Sequence, residues 1–165
     1  MSINHAIDSY WNRLSLLSSR GNLSPHDRLN MMLNIGLDAL GMDMGIVSRV
    51  VGQEYSIEFC SNRRYEGTQF ALNQTYCDLT LHHNDVVDIT HISQSPKQHS
   101  VYNALQIESY IGLPLELHGQ TYGTLCFVRA EPRSHTFSQD DINFMCMLAQ
   151  AVRNTLEEML VCATY

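Results

Sequence analysis

The chain has 165 residues, 44% hydrophobic and only 16% charged, with a formal net charge of −7. That balance excludes a disordered chain, the length suits one domain at ~100–200 residues each, and ten Lys and Arg against 17 Asp and Glu leave little for the basic face that nucleic acid or an anionic membrane demands. The five cysteines, at 60, 77, 126, 146 and 162, contain no CxxC, so reduced thiols in a cytoplasmic protein are expected in place of a disulfide framework or a zinc knuckle.

The N-terminal segment is polar and amphipathic, unlike a signal peptide, and no stretch nears the ~18 apolar residues of a membrane span. Ile3, Ile7, Tyr10, Leu14 and Leu17 recur at helical spacing, which predicts a helix over 2–19. Ser24-Pro25-His26-Asp27 opens a second helix: Ser24 can cap, Pro25 suits the first position and Asp27 favours the positive end. Leu29, Leu33, Leu37 and Leu40 line its apolar face, and Gly41 is a left-handed terminator. Two strands follow, at 45–51 and 55–61, joined as a hairpin. In the second, Tyr55, Ile57 and Phe59 alternate with polar residues and are expected on one face.

A short helix is predicted over 75–83 with Thr75 as cap, then a strand at 86–89, then loop over 91–101. Two further strands span 109–117 and 120–129 around His118-Gly119, a strong turn signal. Ile111, Leu113, Leu115 and Leu117 share a face of the first. Tyr122, Thr124, Cys126 and Val128 share one of the second, with Leu125 and Phe127 opposite. Pro114 argues for an edge or a bulge. The last helix is capped by Ser138 and carries two apolar rows, one through Ile142, Met145, Ala149, Val152, Leu156 and Met159, the other through Phe144, Leu148 and Ala151. One row can face a sheet and the other needs a different partner. Helices at both ends around an antiparallel sheet mean α+β.

Ser109-Tyr110-Ile111-Gly112-Leu113-Pro114-Leu115, the Tyr122-Gly123-Thr124-Leu125-Cys126-Phe127 strand and the Phe137-Ser138-Gln139-Asp140-Asp141 helix opening together resemble a sensor-type GAF domain. The stretch from Gln69 to Cys77 and Val87-Asp88-Ile89 fit the same family. The resemblance covers roughly 24–160, with 1–20 as an N-terminal helix of the same single unit. It implies a profilin/PAS-like α+β fold: a central antiparallel sheet, the N- and C-terminal helices on one face, and short helices and loops forming a pocket on the other. It also implies a non-catalytic sensory or regulatory role in signal transduction, a small-molecule ligand of unknown identity, a homodimer through the terminal helices, and an output domain such as a histidine kinase or cyclase.

The residues placed at the expected pocket are Tyr76, Cys77, Asp78 and Leu81 on the short helix, and Tyr102, Tyr110, Thr124 and Cys126 beside it. Aromatic walls with a few hydroxyls suit a ligand cavity; the alternatives are plain packing, and hydroxyls satisfied by backbone or water. His82-His83, with His91 and His99, form the only histidine concentration, but neighbours on a helix diverge by ~100°, so a solvated loop is expected and no metal site. Among enzyme readings, similarity to the free methionine-R-sulfoxide reductases places Cys77 near one of their cysteines, yet the 91–108 loop lacks the nucleophile. No cysteine precedes a histidine, as bilin attachment commonly requires, and no Asn-Lys pair stands upstream of Phe137 for cyclic nucleotide. The remaining rivals are a thiol-dependent redox enzyme using Cys77 or Cys126 and a ligand-free dimerisation module.

Overall fold

The computed structural model describes residues 3–95 and 106–163. Two helices, α1 (Ile3–Ser19) and α2 (Pro25–Leu40), come first. The start of α2 is built as expected: the Ser24 hydroxyl accepts from the Asp27 N–H at 3.1 Å, Pro25 occupies the first turn, and Gly41 closes the helix at φ 64°. Strands β1 (Met44–Val51), β2 (Glu54–Cys60) and β3 (Gln69–Ala71) precede a short helix α3 (Tyr76–His83). Strands β4 (Val87–Ile89), β5 (Ser109–Leu117) and β6 (Gln120–Arg129) follow, and α4 (Gln139–Ala163) ends the described chain.

The strands form one antiparallel sheet in the order β3-β2-β1-β6-β5-β4. The β5–β6 hairpin turns on His118 and Gly119, at φ 51° and 76°, the pair of positive values that a two-residue turn matching strand twist requires. Pro114 stands opposite Thr124 of β6 but past the last pairing of β4 with β5, at Gly112, so on the β4 side there is no ladder for a proline to break.

Both terminal helices and α2 cover one face of the sheet. Their core contains Leu14, Leu33, Met145, Leu148, Val152 and Leu156 against Val47, Ile111, Leu113, Leu115, Leu125 and Phe127 of the sheet. Both apolar rows of α4 are used. Phe144, from the second row, meets the rings of Tyr10 and Trp11 of α1 edge-on at 6.2 and 6.3 Å. At its N-terminus Ser138 and Asp141 bond reciprocally, Asp141 N–H to Ser138 Oγ at 3.1 Å and Ser138 N–H to Asp141 Oδ2 at 2.8 Å. Arg28 of α2 reaches Glu158 of α4 at 2.6 Å.

Two bulges overturn strict alternation. The β1–β2 register passes from Val47↔Phe59 to Ser48↔Ile57, so Glu58 is the extra residue. Phe59 therefore joins the helix-side core, and Cys60 turns to the other face with Tyr55 and Ile57. Likewise the β5–β6 register steps from Leu115↔Gly123 to Glu116↔Thr121. Tyr122 is the extra residue and packs towards the helices, away from Thr124 and Cys126. Thr75 stands at the α3 start without capping it; its hydroxyl donates instead to the Leu72 carbonyl at 2.7 Å.

Candidate functional site

On the face away from the terminal helices, the sheet presents Ile46, Tyr55, Ile57, Tyr110, Cys126 and Val128. The α3 helix lies over it and turns Tyr76, Cys77 and Thr80 inward, all buried. Between them is a cavity of about 190 Å³. Tyr55, Tyr65, Phe70, Tyr76 and Tyr110 supply rings to its wall, Ile57, Ile107 and Val128 aliphatic surface, and Thr68 and Thr75 also border it. No charged side chain lines it among the described residues. Tyr65 borders the cavity while 46% exposed, which places the mouth on that side.

The Cys77 thiol sits where polar groups converge. Thr124 Oγ1 approaches its sulfur at 3.1 Å, the Tyr110 hydroxyl at 3.6 Å and the Cys126 sulfur at 3.9 Å. Thr124 Oγ1 donates to Cys77, and Ser48 Oγ, which accepts from the Thr124 N–H at 3.1 Å, lies 2.7 Å from Thr124 Oγ1, where it gives its proton when Thr124 directs its own at the sulfur. On the other side Thr80 Oγ1 lies 2.6 Å from the Tyr110 hydroxyl. If Thr80 gives its proton there, that of Tyr110 points at Cys77. Two chains of hydroxyls thus end on one sulfur, and each bond polarises the next.

Donors favour the thiolate. The Cys126 thiol first, then the Thr124 and Tyr110 hydroxyls, bring Cys77 down from 9.0 to about 7, against the opposing effect of burial. The same arrangement pushes Cys126 well up, through its bond to Cys77, its burial and the negative sulfur beside it. Burial, followed by the charge on Cys77, raises Tyr110 as well. Gly112 makes this geometry possible. A Cβ there would lie 2.7 Å from Tyr110 Cζ and 3.1 Å from Cys126 Cβ, so only glycine lets the Tyr110 ring fold along its own strand.

A depressed acid contributes stability that is fully present above its unfolded value and is lost as pH falls through the folded one. For Cys77 the window runs from 9.0 down to about 7. Alkylation of Cys77 by a small neutral reagent is expected to rise with a midpoint near pH 7 in the folded protein and near 9 after denaturation. Coincident midpoints, followed by peptide mapping, would remove the thiolate argument.

Four of the residues expected at the pocket line the cavity: Tyr76, Cys77, Tyr110 and Cys126. Thr124 lies just behind the wall, bonded to Cys77. Asp78 does not line it; successive helical residues diverge by ~100°, and its carboxylate pairs outside with His82 at 3.3 Å. Leu81 packs half-buried against the same core without reaching the cavity. Tyr102 and His99 lie outside the described residues. His91 faces Glu108 at 3.8 Å. Tyr55, Tyr65, Phe70 and Ser48 were not singled out from sequence. The alternation of Tyr55 and Ile57 was the one available signal, and it marked a buried face without saying which.

The family model described as GAF domain matches residues 24–156. No curated protein matches the sequence. Among solved structures, the GAF domain of an Acinetobacter phosphoenolpyruvate-protein phosphotransferase superposes with a TM-score of 0.78 at 18% identity over 100% of both chains. The phycocyanobilin-bound GAF domain from a cyanobacterial phytochrome gives 0.71 at 15%, over 92% of this chain and 94% of that one. Free methionine-R-sulfoxide reductase from Neisseria meningitidis, in complex with its substrate, gives 0.66 at 16%, over 87% and 83%. At such identities the likeness is one of fold.

Proposed function

The chain belongs to the GAF domain family, and we propose from this that it is a sensory or regulatory module answering to a small, uncharged, largely apolar molecule held beneath α3. The observation that carries the reading is the ring-lined cavity of about 190 Å³. A cavity of ~150 Å³ already accepts a benzene ring, whereas drug-sized ligands need ~300 Å³ or more. The fit is therefore to a compact molecule of one ring or two fused rings. Among the described residues, ionised ligands find no counter-charge in the wall and would be desolvated at high cost. Tetrapyrroles are too large for this volume, and no cysteine here precedes a histidine. The sulfoxide-reductase alternative lacks a cysteine in the 91–108 segment.

A thermal-shift screen with native mass spectrometry tests this, using neutral mono- and bicyclic aromatics such as phenol and indole. A ligand at about 100 times its Kd is expected to raise the melting temperature by roughly 5–10 °C. Val128→Phe places a ring in the cavity and is expected to abolish that shift while the unliganded variant still melts cooperatively. Equal responses from both proteins, or no response and no co-purifying species in the wild type, would refute the ligand reading. Homodimerisation and coupling to a histidine kinase or cyclase belong to the same proposal. Exposed Leu16, Met31 and Met147 on the helices are its support, and sedimentation across a dilution series is its test.

A further inference from the structure

We propose that Cys77 and Cys126 form a two-electron redox switch that consumes one molecule of a small organic hydroperoxide and closes into a disulfide. Of the three buried cysteines, 60, 77 and 126, only Cys77 and Cys126 line the cavity, and their sulfurs stand 3.9 Å apart. Cys146 and Cys162 are exposed on α4, on the opposite side of the sheet. Thr124 and Tyr110 donate to Cys77 from chains anchored at Ser48 and Thr80. The roles of the two thiols follow: Cys77 attacks and Cys126 keeps its proton until the second step.

The Cys77 thiolate attacks the terminal oxygen of R–OOH; an S–O bond forms, the O–O bond breaks, and the alkoxide leaves with the proton released when the thiol ionised. The Cys126 sulfur then attacks the sulfenic sulfur of Cys77; the S–S bond forms, the S–O bond breaks, and hydroxide departs as water with the Cys126 proton. In sum two thiols lose two electrons and R–OOH becomes R–OH and water. The apolar wall selects an organic R group over hydrogen peroxide, which would exchange bulk water for a poorly polar cavity.

A disulfide needs its sulfurs ~2.05 Å apart, against 3.9 Å here. Closure brings the sulfurs together, by turning the two side chains or drawing α3 towards β6, and removes the thiolate on which the Thr124 and Tyr110 hydroxyls converge. The switch is stoichiometric, so it suits a regulatory module, and it does not depend on the resident ligand proposed above.

The test starts from the full chain carrying Cys146→Ser and Cys162→Ser, treated with one equivalent of cumene hydroperoxide and analysed by intact mass and peptide mapping. Expected are the loss of two hydrogens, a cross-link joining the peptides of Cys77 and Cys126, and one equivalent of alcohol. Cys126→Ala should stop at one added oxygen on Cys77, and Cys77→Ala should leave the hydroperoxide intact. Thr124→Val keeps both thiols and should react about tenfold more slowly, since it lowers the thiolate fraction; a cooperative melt for each variant shows that it is folded. Hydrogen peroxide should react about tenfold more slowly than cumene hydroperoxide with the parent protein. A cross-link through Cys60, first oxidation at Cys126, faster reaction with hydrogen peroxide, or unconsumed hydroperoxide with the folded parent protein would each overturn the proposal.

Discussion

Alanine in place of Gly123 is expected to cost more than about 4 kcal/mol and to leave little folded protein. Gly123 lies in β6 beside the Tyr122 bulge and pairs with Arg49 of β1. A Cβ there would collide with the Ser48 carbonyl, its carbon standing 2.6 Å away and Arg49 Cα 3.0 Å away. These are backbone atoms of a central strand held on both sides, by β2 and β6, so no rotamer change relieves the clash. Any relaxation must push β1 and β6 apart at the point where Ser48 bonds Thr124. Stability and the Cys77 donors should therefore fail together. Urea unfolding followed by circular dichroism checks this, with Gly21→Ala as the control. A Cβ at Gly21 meets nothing within 4 Å, and the control should stay within about 0.5 kcal/mol of wild type. Near-native stability for Gly123→Ala would mean that the strands do not approach as described.

Phe127→Ala is expected to destabilise by about 3–5 kcal/mol. The ring is fully buried in the middle of the sheet's helix side. It occupies a slot made by two glycines: a Cβ at Gly36 of α2 would lie 2.7 Å from Phe127 Cε1, and one at Gly45 of β1 would lie 2.6 Å from it. The helix and the strand both come close because neither has a side chain there, and the ring fills the gap to native packing density. The same geometry predicts a coupling. Gly36→Ala should destabilise strongly by itself and much less beside Phe127→Leu, which lacks the ring edge that the new methyl meets. Additive effects in that double-mutant cycle would show that the glycine and the ring are not complementary.

The legible parts of the fold were those written in local pattern. Ile111, Leu113, Leu115 and Leu117 fall on the helix side as their alternation requires, with Leu125 and Phe127 beside them. Ser24-Pro25 and Ser138-Asp141 cap helices where their types place caps, and His118-Gly119 turns the hairpin. Alternation failed at Glu58 and Tyr122, because an extra residue in one strand reverses every face beyond it. Nothing in the flanking residues marks which of them will be unpaired.

In the candidate site, Tyr76, Cys77, Tyr110 and Cys126 were named from sequence and do share one cavity. Ser48 was not, though it anchors Thr124 from 76 positions away. Asp78, next in sequence to Cys77, is turned out of the cavity by the pitch of the helix.

By itself the sequence determined the α+β class, the helix limits, the strand pairs closed by short turns, and the family, because caps, turns and apolar periods act over a few residues. Only the tertiary structure decided that Cys77 faces Cys126, that two hydroxyl chains end on one sulfur, and that glycines at 36, 45, 112 and 123 make room for close contacts. Those facts depend on strand register and on the seating of α3 to within an ångström or two, and such distances arise from packing between segments far apart in the chain.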